Sequence, residues 1–136
     1  MFIKWDEQYA VHIRLMDDQH KRLFDMIEQF YLALHHRETQ RAMSELLSGL
    51  TEYSLYHFHG EERMMSLNNY PLYAAHKSAH EKFIITIKEF HERFDSGKLL
   101  IPIEVAQFIK QWLSNHILMT DKQLGKFLRQ IESKED

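Results

Sequence analysis

At 136 residues the chain is long enough for one domain with a real core and too short for two. Its composition, 44% hydrophobic and 27% charged with four Gly and two Pro, favours long helices over a disordered or turn-rich β chain. A net charge of −3 without a dense basic block argues against nucleic acid as a partner, and the absence of cysteine excludes disulfides, thiolate chemistry and iron–sulfur ligation.

Residues 1–16 carry no clear helical period and are expected to form an arm. The opening residues lack a basic start followed by an apolar run, and no stretch approaches membrane-spanning length, so a cytoplasmic protein away from membranes is expected. From about 17 to 36, Leu23, Met26, Ile27, Phe30 and Leu34 recur at helical spacing, with Asp17 or Asp18 as the expected N-cap. A second helix is expected over 39–67, with Thr39 as its cap and Asn68-Asn69 as its stop. Pro71 opens a third, 71–94, which halts at Asp95-Ser96-Gly97. The fourth is placed at 102–119, and a short amphipathic tail helix at about 121–132, capped by Thr120 and Asp121. Four such segments with short connections predict an all-α fold, an antiparallel up-down four-helix bundle with an N-terminal arm and a short C-terminal helix.

Ten histidines are the compositional outlier. His35, His36, His59 and His91 stand among polar neighbours and are read as surface residues, as is His12. The other five fall into a pattern with two carboxylates: His20, His57 with Glu61, His76 with His80, and His116 with Asp121. A helix advances ~1.5 Å and ~100° per residue, so partners four apart share a face. His57/Glu61 and His76/His80 meet this condition on the apolar stripes and therefore point inward. His20 lies one turn before Leu23 and Phe24 and adds another inward imidazole. His116 and Asp121, five apart, would diverge by roughly 140° on a regular helix, so the fourth helix must end or kink between Leu118 and Asp121.

Five neutral imidazoles in one core would need as many buried partners, and each unpaired polar group costs about 1–3 kcal/mol. Metal ions supply the partners at once, and Glu61 and Asp121 supply charge. Nitrogen with oxygen donors suits zinc, iron, manganese or copper. Two six-coordinate ions offer twelve positions; the seven side chains, with both carboxylates bridging, fill nine, and a solvent-derived bridge fills two more. One position then remains for a small ligand. Carboxylate-rich di-iron enzymes use duplicated Glu-x-x-His motifs that this chain lacks. Fewer anionic donors favour binding O₂ and releasing it over cleaving it.

The text Asp17-Asp18-Gln19-His20-Lys21-Arg22-Leu23-Phe24, His57-Phe58-His59-Gly60-Glu61-Glu62, His76-Lys77-Ser78-Ala79-His80, and Trp112-Leu113-Ser114-Asn115-His116-Ile117 through Asp121-Lys122 resembles the hemerythrins, in particular the single-domain bacterial form. Ile3-Lys4-Trp5-Asp6 is similar to the family's N-terminal arm. The resemblance implies two non-haem iron ions with an oxo or hydroxo bridge. His76, His80 and His116 would saturate one, His20 and His57 would hold the other, and Glu61 and Asp121 would bridge them. It also implies O₂ held reversibly as hydroperoxide on the iron of His20 and His57, with Trp112, Leu113 and Leu118 lining the O₂ pocket. His12 and Met16 depart from the Gly and Ile often found in the family.

The function expected on this basis is non-catalytic storage, delivery or sensing of O₂, with any redox or signalling partner unidentified. Two other readings are a di-iron enzyme that reduces O₂, peroxide or nitric oxide, and a structural zinc clamp.

Overall fold

The structure, a computed structural model, describes residues 2–36 and 38–135, with side chains described as far as Glu132. The expected all-α bundle is what forms: α1 is Arg14–Ala33, α2 Thr39–Leu67, α3 Tyr73–Asp95 and α4 Pro102–His116. A π turn, Ile117–Asp121, leads without a break into α5, Lys122–Glu135. No strand occurs among the described residues. α2 packs against α1 and α3, and α1 packs against α4, as short antiparallel connections require. No helix is long and apolar enough to cross a membrane among the described residues.

Each helix buries the stripe that its spacing defined. Ile27, Leu50, Ile87 and Ile109, one from each of the four long helices, are almost wholly enclosed. Burying a side chain of this size contributes about 1.5–3 kcal/mol. Helix ends follow local chemistry at several points. Pro102 sits in the first turn of α4, where its missing N–H costs nothing. Gly97, at φ 74°, takes the left-handed position that ends α3. Asn69 turns the chain beyond α2 at φ 53°.

The expected caps differ from those observed. α1 begins at Arg14 after Ile13, so Asp17 and Asp18 lie inside the first turns. The Asp17 carboxylate instead accepts hydrogen bonds from the backbone N–H groups of Val11, at 2.8 Å, and His12, at 3.2 Å. It ties down the arm, which a purely local capping rule cannot foresee. Thr39 is the first residue of α2 rather than its cap, a position that Glu38 takes without a side-chain hydrogen bond. Pro71 lies in the turn before Tyr73, where α3 starts.

Between Phe2 and His12 the arm is fastened to the bundle at several points. Glu28 accepts from the N–H groups of Phe2 and Ile3, both at 3.0 Å, and Lys110 donates to the Phe2 carbonyl. Phe2 stacks on Tyr31, and Tyr9 meets Phe24 edge-on. A single helical turn, Glu7–Tyr9, capped by Asp6, interrupts the extended path. At the far end the arm passes α5 so closely that a Cβ on Gly125 would lie 2.6 Å from the Val11 carbonyl oxygen. Only glycine permits that approach.

Candidate metal centre

All seven residues singled out by spacing converge at one buried point. α1 delivers His20, α2 delivers His57 and Glu61, α3 delivers His76 and His80, and α4 ends on His116. Asp121 closes the π turn. In that turn hydrogen bonds run from i to i+5, which stacks residues five apart on one face and brings Asp121 under His116. The helix therefore does not end there, and Thr120 and Asp121 do not cap a separate tail. One widened turn gives the irregularity that the spacing demanded.

The side chains divide into two groups whose donor atoms all lie within 4.8 Å of one another: Glu61, His76, His80, His116 and Asp121, and His20, His57, Glu61 and Asp121. The carboxylates belong to both. Glu61 Oε1 faces His76 and His80, at 3.3 and 3.1 Å, while its Oε2 faces His57, at 2.9 Å, and His20, at 3.6 Å. Asp121 repeats the division: Oδ1 lies 3.1 Å from His76 Nε2 and 3.2 Å from His116 Nε2, and Oδ2 lies 3.1 Å from His20 Nε2. One group thus has five donors and the other four.

These distances suit a shared ion better than hydrogen bonds. Around a six-coordinate ion with bonds near 2.1 Å, neighbouring ligand atoms stand about 3.0 Å apart. Both oxygens of Glu61 and of Asp121, and Nε2 of His20 and His76, are buried without an aligned hydrogen-bond partner among the described residues. Nε2 of His80 and His116 face each other at 3.2 Å, an arrangement that two neutral acceptors would avoid and a cation between them would favour. Such orphaned polar atoms are rare in folded proteins, and here they share common focal points. The residues present fit two metal ions.

Electrostatics carry the same message. Burial alone would depress His20 and His76, yet the approach of Asp121 and Glu61 outweighs it and pushes them up to about 10 and about 9. Burial would raise Glu61, but the positive charge of His57 and the nearby His20 and His76 hold it well below the ordinary range. Asp121 is likewise depressed: burial and the Glu61 charge oppose ionisation, and His116 and His20 overcome them. The two carboxylates are anionic and call for cations, protons if nothing else is available.

Sequence reasoning missed the groups that orient the rings. His57 Nδ1 pairs with Gln19 Oε1, and His80 Nδ1 lies 2.9 Å from Glu62 Oε2. Each bond fixes the tautomer that leaves Nε2 free to face the centre. Both partners directly adjoin a ligand, Gln19 before His20 and Glu62 after Glu61, and the need of every ligand imidazole for an outer partner was the available signal. Phe58 stacks on His80 with centroids 3.9 Å apart, and Trp112 stacks on His116 at 4.5 Å. Of the expected pocket residues, Leu113 is buried, and Trp112 and Leu118 are half-buried. Ile117, which the spacing argument passed over, is wholly enclosed.

The model of the hemerythrin HHE cation binding domain matches residues 11–128. The chain is similar to the bacteriohemerythrin of Methylococcus capsulatus, 32% identical over 124 residues that cover 89% of this chain and 92% of the relative. It is also similar to the myohemerythrin of Sipunculus nudus, 32% identical over 123 residues, 90% of this chain and 91% of the relative. A crystal structure of wild-type hemerythrin superposes with a TM-score of 0.86 at 28% identity, covering 93% of this chain and 97% of the other.

Proposed function

The chain belongs to the hemerythrin family, and from that membership we propose its function: reversible binding of O₂ at a non-haem di-iron centre. The observation that carries this reading is the division of the buried donors into groups of five and four that share two carboxylates. We assign His76, His80, His116, Glu61 and Asp121 to one iron, and His20, His57, Glu61 and Asp121 to the other. A solvent-derived bridge would bring the group of five to six donors and the group of four to five, so the group with fewer donors would keep one position for O₂. When bound there, an iron pair would supply the two electrons that O₂ takes up and returns.

The chain's own residues hold and shield that chemistry. Gln19 and Glu62 orient His57 and His80, so their Nε2 lone pairs stay aimed without the rings having to turn. Glu61 and Asp121, with one oxygen toward each group, would hold an ion in each and so set the separation of the pair. Apolar side chains within one turn of His116 exclude water; Trp112, Leu113 and Leu118 form the wall of the O₂ pocket in this assignment, together with Ile117. Dry walls oppose the solvation of charge that accompanies irreversible oxidation.

The assignment extends to a non-catalytic role and a cytoplasmic setting. The family name supports the first, and cell fractionation tests the second. Repeated cycles of oxygenation and evacuation, followed by visible absorption, test the function itself. A band that appears with O₂ and vanishes on evacuation, cycle after cycle, is expected. Steady consumption of O₂ with an added reductant would establish catalysis instead, and one zinc per chain in protein from iron-supplemented cells would establish a structural clamp.

A further inference from the structure

The antiparallel order of the helices defines which residues form the layer next to the centre, on the side of the 34–38 and 96–101 connections. On α1 and α3 that layer follows the ligands: Leu23 and Phe24 after His20, Phe83 and Ile84 after His80. On α2 and α4 it precedes them: Ser54 before His57, and Leu113 before His116. All of these side chains are buried, and all but one are hydrocarbon or aromatic. Ser54, 1% exposed, is the exception, and its hydroxyl has no hydrogen-bond partner among the described residues.

A buried hydroxyl without a partner is costly, and native proteins keep few of them. The usual escape for a helical serine is a bond to the carbonyl four residues back, the bond that Thr51 makes to Leu47 at 2.7 Å three residues earlier on the same helix. Ser54 does not make it. On α2 it lies three residues from His57, ~4.5 Å along the axis, and about 20° in direction from Glu61. It therefore points into the bundle on the side of a ligand that belongs to the group with four donors rather than five.

We propose that the Ser54 hydroxyl is the protein's hydrogen-bond donor to the outer atom of a small anionic ligand held at the free position of the His20/His57 metal. This rests on the reading that the four-donor group keeps that position. The ligand class is a two- or three-atom species that bears negative charge when bound: O₂ after it has accepted electrons, or a linear anion such as azide. Ser54 makes no covalent change and transfers no charge. It is a specificity-determining residue, in that a donor in an otherwise apolar wall favours ligands whose far end is charged over ligands whose far end is not.

Azide is the probe, titrated into the diferric protein while its charge-transfer absorption and its infrared stretch are followed. A hydrogen bond to a charged group in a dry site is a strong one, so Ser54→Ala is expected to weaken azide about tenfold and to shift the azide stretch, with both iron ions retained. Ser54→Cys, which keeps a weaker donor of similar shape, is expected to fall between. A second readout needs no metal: Ser54→Ala is expected to raise the unfolding midpoint of the metal-free protein, because it removes an unsatisfied buried group. If wild-type protein with two irons fails to bind azide, the free position itself is refuted, and this inference with it. If wild type binds azide and Ser54→Ala leaves both affinity and stretch unchanged, the site reading stands and the role of Ser54 is overturned. A lowered midpoint in the metal-free variant would likewise show a structural hydrogen bond in place of a ligand contact.

Discussion

Toward the 34–38 and 96–101 connections the bundle is filled by Ile27, Leu50, Ile87 and Ile109; one to two turns away the same four helices, with the π turn, bury five imidazoles and two carboxylates. The apolar half gains free energy from burial alone. The polar half desolvates anions and imidazoles and leaves their oxygens and nitrogens without aligned partners, a loss that only bound cations offset. Stability in one region is thus a property of the chain, and in the other a property of the chain with its metals. The arm joins the two: Glu28 and Lys110 hold its start, and Asp17 and Gly125 hold its end beside α5.

The comparison is broken most severely at a shared carboxylate. Glu61→Ala removes a donor from both groups at once, and elemental analysis is expected to find both iron ions lost. Retention of one full equivalent would show that the groups do not depend on a common bridge. Ile109→Ala acts on the other half. It is expected to cost about 2–5 kcal/mol in denaturant unfolding of the metal-free and metal-loaded protein alike, with metal content unchanged.

A smaller effect separates the orienting shell from the ligands. Glu62→Gln keeps the shape beside His80 but replaces a carboxylate with an amide, and metal affinity is expected to fall by about 10- to 100-fold. Competition with a chelator measures it, and an unchanged affinity would reduce Glu62 to a surface residue near a ring.

The mildest perturbation is pH, and its sign differs between the two states. Without metal, His20 and His76 titrate near 10 and 9 against 6.5 for a free imidazole. Their stabilisation is fully present below pH 6.5 and is lost as pH rises through 9 to 10. Glu61 and Asp121 are depressed from 4.5 and 3.8, so their contribution is present above those values and is lost as pH falls further. The metal-free protein should therefore be most stable between about pH 4.5 and 6.5. Metal reverses the alkaline limb, because the ligands bind it only when deprotonated: affinity climbs with pH, and acid strips the ions and loosens the polar half. Thermal midpoints of both forms across this range provide the check.

Much of this was legible in the chain before folding. Regular stripes such as Leu23, Ile27 and Phe30 sufficed for the helices, because burial of one face dictates the period. The four-residue spacings of His57/Glu61 and His76/His80 sufficed for their shared direction. His116 and Asp121 showed that the helix could not be regular, yet a break and a π turn satisfy the same spacing, and the five-residue separation alone does not decide between them. Asp17 has the residue type of a cap but serves the arm, because its partners, Val11 and His12, come close only once the tertiary fold exists. Gln19 and Glu62 escaped notice for a related reason. Each adjoins a ligand in sequence but bonds a ring on another helix, so the local text marks the candidate without showing which ring it meets.

The central claim is that two metal ions occupy unequal groups joined by Glu61 and Asp121. Crystals grown with ferrous salt under anaerobic conditions test it through anomalous scattering at the iron edge. Two peaks are expected, one among His76, His80 and His116 and the other beside His20 and His57, with both carboxylates between them. A lone peak, or density in which these side chains turn away from one another, would contradict the account.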